Sequence, residues 1–235
     1  MALRHHIEIL KQGKAAWNNW RQDNPEVQPD LSNADLTGTS LSDLDLSWAN
    51  LEKANLSNAN MRSVDLSWAK LHGTNFSHAA MNEANLSQAY GNSHTNFHWA
   101  DLTQGNLSNV HFNSVAFTKS ILISADMRDA NFSQANFHGA NLMYANLAFS
   151  CLLNTRLVNA NISHANLEGA DLKAAEFYRA DLSASALTST DLQEADFRGI
   201  RSIDIDQLLS GKHLFKAVFD STFLDQIHRH APIFI

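Results

Sequence analysis

The stretch Ser133–Ala148, SQANFHGANLMYANLA, repeats a unit of five residues: Ala, then Asn or Asp, then Leu or Phe, then two mostly polar residues. The same unit runs almost without interruption from Pro29 to Gly199, so most of the 235-residue chain is one repeated object. We call the Leu or Phe position the centre of each unit. Centres recur every five residues over Leu31–Leu86 and again over Phe97–Phe197, and all 33 of them are Leu, Phe, Met or Ile.

A period of five residues is neither the 3.6 of an α-helix nor the 2 of an alternating β-strand. Two residues before the centre, 19 of the 33 positions are Ala, and one residue before it 23 are Asp or Asn. In an extended chain a small and a large apolar residue two apart point the same way, and the polar residues that follow are turn formers. The pattern predicts a coil in which each unit forms one short side, with Leu, Phe and Ala inside and a turn at each corner.

The phenylalanines among the centres show how many units make one coil. Eight centres are Phe, and six of them share one class modulo 20 once a one-residue insertion before Phe97 is allowed for, whereas modulo 15 they scatter. A coil of four units is therefore predicted. We expect these six side chains to form a core ladder along one inner wall: Phe76, Phe97, Phe117, Phe137, Phe177 and Phe197.

The units ANLSQ, ADLTQ, ANFHG, ANLEG and ADLSA match the consensus A(D/N)Lxx, which about 170 of the 235 residues follow. In this the chain resembles the pentapeptide-repeat family. The resemblance implies an all-β fold: a right-handed quadrilateral parallel β-helix, here of about eight coils, with short α-helical caps at both ends. We therefore divide the chain into an N-terminal helical cap at 1–28, a β-helix at 29–199 and a C-terminal helical cap at 200–235. With coils about 4.8 Å apart, the rod is about 40 Å long.

The N-terminal segment departs from the repeat and has helical spacing. Leu3, Ile7 and Leu10 fall on one face of a first predicted helix, and Trp17 and Trp20 fall on one face of a second. We expect this segment to lay its apolar face over the open end of the array, since terminal repeats need a cap against strand addition. A pair of partner-binding helices is the alternative.

The repeat phase is lost after Phe197. Either Asp204 or Asp206 is expected to cap a short helix that ends at Gly211, and a second helix is expected to begin at Ser221. Between them we expect one apolar face, formed by Leu214, Phe215, Val218 and Phe219. The apolar tail Pro232–Ile235 either packs on this cap or contacts a second chain, so both a monomer and a homodimer stay open.

One unit of the array, near residues 87–96, is a residue longer than the others. Gly91 is expected to accommodate the insertion in a backbone conformation that is closed to other residues. Because an insertion of one residue is too short to form a projecting loop, we interpret it as structural rather than functional.

The overall composition indicates which partners and which cellular compartment to expect. The net charge of −7 argues against direct nucleic-acid binding, which needs a basic face. The single cysteine, Cys151, excludes an intramolecular disulfide and suits a reducing compartment. Neither a signal peptide nor an apolar run of membrane-spanning length is visible, so we expect a cytoplasmic protein that does not bind a membrane.

No catalytic residue, cofactor or metal site is predicted. His78 and His98 are expected to lie close together on adjacent coils, but a structural or catalytic metal site needs three or four convergent ligands. The many Asp residues follow the turn pattern, and no phosphate-binding loop or nucleophile motif occurs. We therefore do not expect an enzyme.

The outer positions that break the polar rule are the candidate protein contacts. Exposed apolar residues cluster in the middle coils, and two tryptophans lie 20 residues apart, one above the other. These candidate contacts are Ile121, Ile123, Met143, Tyr144, Phe149, Trp48 and Trp68, with Leu153 and Val158 continuing the cluster. The alternatives are scattered surface apolar residues, and tryptophans that stiffen the wall or are buried under the N-terminal cap.

Two functional hypotheses follow. In the first, the chain is a rigid, non-enzymatic scaffold that presents its sides to another protein of unknown identity. In the second, suggested by the resemblance, it mimics duplex DNA and modulates DNA gyrase, as one quinolone-protecting branch of the family does. That mimicry needs rows of carboxylates, and the seven acidic residues of Ala165–Phe197 are opposed only by Lys173 and Arg179. The middle coils, however, are close to neutral.

Overall fold

A computed structural model describes residues 3–230, and residues 30–199 form a β-helix with four units in each coil. Its strands are single bridged residues, one at the position before each centre. Each pairs in parallel with the residue 20 further on, as Asp30 does with Asn50, or 21 further on across the insertion, as Asn75 does with Asn96. The prediction of an all-β, right-handed, four-sided β-helix is confirmed.

The rod has four sides, which we number by their first centres. Side 1 begins at Leu31, side 2 at Leu36, side 3 at Leu41 and side 4 at Leu46, and each is continued by every fourth unit. The centres are buried throughout the array, as are the Ala residues two positions before them. Each unit therefore contacts the units one coil above and below it, and the interior is a packed core.

Every corner is a tight turn. The centre's carbonyl accepts a hydrogen bond from the backbone N–H three residues on, as in the 3.1 Å bond between Leu31 O and Ala34 N. The third residue of the turn has a positive φ in all 33 units, 58° at Asn33 for example. This conformation favours Asn, Asp and Gly, which together occupy 12 of the 33 outer corners.

The Asn or Asp before each centre completes the unit with its side chain. Its Oδ1 accepts the backbone N–H two residues on, as Asn75 does from Ser77 at 3.1 Å. The amide group also bonds the next coil, since Nδ2 of Asn75 donates to Oδ1 of Asn55 at 3.1 Å and Nδ2 of Asn96 donates to Asn75 at 3.2 Å. A column of Asp would instead place like charges on successive coils, which explains why Asn outnumbers Asp.

The six phenylalanines of the predicted ladder lie on side 2 and are buried. Neighbouring rings are nearly parallel, with centroids 4.7 Å apart for Phe76 and Phe97 and 4.9 Å apart for Phe117 and Phe137. Leu157 takes one place in this column, and Phe219 extends the column beyond Phe197 with a centroid distance of 5.3 Å.

The explanation given for Gly91 from the sequence is wrong. Gly91 occupies the place of a centre on side 1, where its N–H donates to the His111 carbonyl at 2.9 Å, and its φ is not positive. A Cβ there would lie 3.0 Å from the ring of Phe112, which fills the interior at this level. Glycine is therefore required for space, not for its backbone conformation.

Two helices, α1 (Arg4–Lys11) and α2 (Lys14–Asp23), cover part of the first coil. Trp17 is fully buried, and its Nε1 donates to the Asp45 carbonyl at 2.7 Å. The predicted Leu3 face is only partly right: Leu3 precedes α1, is half exposed and donates its N–H to the Asp30 carbonyl at 3.1 Å. It is drawn out of the helix because it pairs with the first coil.

His6 makes attachment of this cap sensitive to pH. Burial lowers the pKa of His6, whose Nδ1 accepts the Asp30 N–H at 2.9 Å, and only an unprotonated nitrogen can accept that bond. The pKa of His6 in the folded cap lies below its unfolded value of 6.5. As the pH falls through 6.5, the unfolded cap therefore binds more protons than the folded cap, and the stability of the folded cap decreases. We expect cap melting, followed by tryptophan fluorescence, to shift to lower temperature between about pH 7 and 5.5. The His6→Gln variant keeps an acceptor and should lose most of this shift; an unchanged shift would contradict the assignment.

The C-terminal segment contains α3 (Ile205–Leu209) and α4 (Ser221–His230). Asp204, not Asp206, caps α3, and Gln207 completes a capping box. The β-helix register continues at three positions of the segment that the sequence assigns to the cap: Ser202, His213 and Val218.

The predicted single apolar face of this segment is wrong, because residues 213–219 resume the repeat and alternate between inside and outside. Leu214 and Phe219 pack on the core, whereas Phe215 and Val218 are exposed. The tail Pro232–Ile235 lies outside the described residues. Among residues 3–230, no helix is long and apolar enough to cross a membrane.

Candidate functional site

The most unusual side chains on the surface are aromatic residues at the third turn position. There the backbone is left-handed, a conformation that is strained for bulky residues, and the side chain is exposed to water. The backbone strain and the exposure to water both disfavour an aromatic residue at this position, so the fold does not require one. Five corners nevertheless carry one, with 37–62% of the residue exposed: Trp48, Trp68, Trp99, Tyr144 and Phe149.

Trp48 and Trp68 form a stacked pair on the corner between sides 4 and 1. Their ring centroids are 4.9 Å apart and their planes differ by 2°. An open groove of about 520 Å³ separates Trp48 from the segment that links α2 to the array, with Lys70 beside it. The alternative in which the N-terminal cap buries this pair is wrong, because Trp17 covers the interior of the first coil instead.

Four of the predicted contacts share one side. Ile121 and Ile123 lie on side 3, and Met143 lies one coil beyond Ile123, all three half-buried. Tyr144 follows at the corner, where its ring stacks on that of His164 with a centroid distance of 4.9 Å. We call Ile121, Ile123, Met143 and Tyr144 the side 3 patch.

The side 3 patch has no ionised side chain within it, since its other outward residues are Ser124 and Asn141. Depletion of charge around exposed aromatic and Met side chains is typical of the centre of a protein interface. The side 3 patch is therefore an uncharged, largely apolar surface on two successive coils.

The remaining predicted apolar residues do not extend this patch. Phe149 lies at the other edge of side 4, and its ring covers Gly169, where a Cβ would approach to 2.6 Å. Leu153 and Val158 are half-buried on sides 1 and 2. These residues therefore encircle the rod, and a single partner surface cannot contact all of them.

Trp99 was missed by the sequence analysis. It stacks on His78 with a centroid distance of 6.4 Å, and the Lys119 Nζ lies 5.0 Å from the centroid of its ring. Sorting the sequence by position within the unit would have found it, since Trp99, like Trp48 and Trp68, is the second residue after its centre, although it lies at a different corner of the rod. Tyr90, which stacks on His111, lies at the insertion and gives no such signal.

The described residues offer little metal chemistry. His78 and His98 do lie close together, with ring centroids 6.0 Å apart and planes perpendicular. Within residues 3–230, however, no group of three or more His, Cys, Asp or Glu side chains converges to hold a metal ion. Cys151 is a free thiol on side 1.

The acidic end of the rod is largely neutralised by ion pairs. Arg198 holds the pKa of Asp196 below its usual value through a bidentate contact. Four of the seven acidic residues of Ala165–Phe197 have a basic partner within 4 Å, in the pairs Glu176–Arg156, Asp191–Lys173, Asp196–Arg198 and Glu194–Lys216. No uninterrupted row of free carboxylates runs along these coils of the described structure.

Comparison with known proteins gives the same class, a right-handed four-sided β-helix built of tandem five-residue units. The family profile described as Pentapeptide repeats matches in eight copies, which together span residues 30–90 and 95–201. The chain therefore belongs to the pentapeptide-repeat family.

Solved structures with the same fold include QnrB1, described as a plasmid-mediated fluoroquinolone resistance protein. A trypsin-treated form of it covers 86% of this chain and 97% of its own at 20% identity, with a TM-score of 0.53. HetL, from the cyanobacterium Nostoc sp. strain PCC 7120, is described as involved in heterocyst differentiation regulation; it is 24% identical over 93% of this chain and 94% of its own, with a TM-score of 0.36. No curated protein matches the sequence significantly. The likeness to the trypsin-treated QnrB1 shows the fold alone.

Proposed function

We propose that this chain is a non-enzymatic scaffold that binds another protein through the side 3 patch. The observation that carries the proposal is a continuous, uncharged apolar surface on two successive coils, ending in the exposed ring of Tyr144. Proteins of this family are generally scaffolds of this kind. The stacked pair of Trp48 and Trp68 is a second contact surface, whose centre lies about four coils, or about 19 Å, from the centre of the first along the rod.

The rigidity of the rod supports binding through a small patch. The outer side chains of the side 3 patch are held on a backbone whose units are hydrogen-bonded to the coils before and after them, so these side chains are already ordered before a partner binds. A preorganised surface loses less entropy on association and needs fewer contacts for the same affinity. An aromatic residue at its edge is a typical anchor of such an interface.

Binding and stability are expected to separate in a double variant, Ile123→Thr with Tyr144→Asn. Both new residues occur at the same positions of other units, Thr103 and Asn154, and Asn is favoured at the left-handed corner. We expect the free energy of unfolding to change by less than about 1 kcal/mol. Recovery of the bound protein by affinity purification from the native cell, quantified by mass spectrometry, should fall at least about tenfold.

The matched control is Tyr178→Asn, which removes a half-exposed tyrosine from side 2. This variant should recover the same proteins as the native chain. Equal recovery by the native chain and the side 3 double variant would remove the patch from the proposal.

Action as a DNA mimic on DNA gyrase is not the function we propose. The likeness to QnrB1 is at 20% identity and carries the fold only. The ion pairs at the acidic end and the Asn columns of the middle coils argue against it, because a mimic has to replace one phosphate charge per about 1.7 Å of duplex.

A further inference from the structure

Groups of residues 3–230 hydrogen-bond the outer backbone edge of the first coil on two of its four sides. On side 1 the Asp30 carbonyl accepts from Leu3 N at 3.1 Å, and on side 4 the Asp45 carbonyl accepts from Trp17 Nε1 at 2.7 Å. On sides 2 and 3 no group among residues 3–230 bonds the backbone N–H or C=O of Asp35 or Ser40. The first coil therefore presents an open β-edge on two sides.

The later coils show which hydrogen bonds the backbone of such an edge makes when a preceding coil is present. On side 2, Asn55 donates its N–H to the Ala34 carbonyl at 2.9 Å and accepts at its own carbonyl from Leu36 N at 2.8 Å. Asp35 stands in the position of Asn55 but has no preceding coil. An added unit would have to offer a carbonyl two residues before its centre and the N–H of the centre itself.

An apolar groove lies directly above this edge. It has a volume of about 420 Å³, and Ile7 and Leu10 of α1 form its wall. Its floor is formed by Ala34, Leu36 and Leu41, which are buried residues of sides 2 and 3. Unpaired backbone beside an apolar groove is the geometry that binds an extended peptide as an added strand.

We propose that residues 231–235 of a second copy of this chain bind here as an additional unit of the β-helix. The segment is APIFI, and its Ala231 and Ile233 are spaced as Ala160 and Ile162 are in the array. Ala231 would supply the carbonyl for the open N–H, and Ile233 would supply the N–H and place its side chain in the groove.

Pro232 fits the middle position of such a unit. In the array the N–H of this position bonds the preceding coil, as Asn55 bonds Ala34, and an added first unit has no preceding coil. The missing N–H of proline therefore costs nothing here, and proline keeps the residue before it extended. It also prevents a further strand from adding, which is how natural proteins end an edge.

The donor of the segment has to be another molecule. Residues 231–235 follow α4 at the opposite end of the rod and span at most about 18 Å when extended, against a rod about 40 Å long. Arg229 lies just before the segment, and the groove is bordered by two exposed residues of opposite charge, Asp35 and Lys11. A head-to-tail contact of this kind is heterologous, so it gives open chains of molecules or closed rings.

Sedimentation of the full chain at rising concentration tests the proposal. We expect self-association that weakens about tenfold in Asp35→Pro or in Ser40→Pro, each of which removes one edge N–H. The affected variant identifies the side that binds. Asp35→Asn and Ser40→Ala keep the N–H and should associate as the native chain does. A synthetic peptide of residues 228–235 should dissociate the assemblies.

A second variant, Ile233→Asp, changes the donor segment and leaves residues 3–230 untouched. It should associate at least about tenfold more weakly while melting at the native temperature. The proposal would be overturned if Ile233→Asp, or both proline variants, associated as the native chain does. It would also be overturned if the native chain stayed monomeric at all concentrations. None of these variants touches the side 3 patch, so partner recovery by that patch is tested separately.

Discussion

Replacement of Phe117 by Ala is expected to destabilise the β-helix by about 4 kcal/mol, the largest effect of any single side chain considered. Phe117 is fully buried in the middle of the side 2 ladder, with ring centroids 4.9 Å from both Phe97 and Phe137. Truncation removes two stacked contacts and leaves a cavity. The backbone cannot readily collapse into that cavity, because the unit that carries Phe117 is hydrogen-bonded to the coils on both sides.

Two variants control this measurement. Phe117→Leu should cost only about 1.5 kcal/mol, because Leu157 already fills the same column two coils away. Phe149→Ala makes the same chemical change at an exposed corner and should cost less than about 1 kcal/mol. The free energies come from urea unfolding followed by circular dichroism. A loss below about 1.5 kcal/mol for Phe117→Ala would show that the ladder is not a tightly packed core.

The second large effect is expected at Gly91. Gly91→Leu restores the consensus centre of side 1 but drives a side chain into the space of the Phe112 ring, which would lie 3.0 Å from the new Cβ. We expect a loss of about 3 kcal/mol from this overpacking. The distortion also reaches Thr95, whose Oγ1 donates to the Leu71 carbonyl at 2.7 Å inside the inserted unit.

A double-mutant cycle tests whether Gly91 is needed to leave space for the Phe112 ring or to allow a particular backbone conformation. Phe112→Leu alone should cost about 1.5 kcal/mol, and the double variant with Gly91→Leu should lose about 2.5 kcal/mol rather than the additive value of about 4.5, which is a coupling energy of about 2 kcal/mol. Urea unfolding of the four proteins measures the cycle. Additive losses would mean that Gly91 serves the backbone of the insertion after all.

The fold was largely predictable because the repeat converts tertiary neighbours into sequence spacing. Each unit packs on the units 20 residues away, so the phenylalanine spacing alone indicated four sides and one ladder. Predictions failed where the repeat is interrupted: at Gly91, at Leu3 and in the segment around Phe215. At those places contacts with non-periodic partners decide, and no local pattern records them.

The candidate site was predictable only as a set of exceptions. Ile121, Ile123, Met143 and Tyr144 break the polar exterior, and the period correctly placed them together on one side. Phe149 breaks the same rule but packs over Gly169 on another side. The sequence does not distinguish the side 3 patch from Phe149, because the exposure of a side chain depends on the direction in which it points and on the size of the residue beside it in the next coil.

The coil, its four sides and its filled interior all follow from the five-residue pattern, because the pattern occurs 33 times and each repetition reinforces the same packing. The three-dimensional contacts were needed to show which apolar exceptions pack on a neighbouring coil, as Phe149 does over Gly169, and which sides of the first coil lack backbone partners among residues 3–230. Both depend on where single, unrepeated groups come to lie, such as Trp17 on side 4 and Leu3 on side 1. Periodicity carries no information about a contact that occurs once.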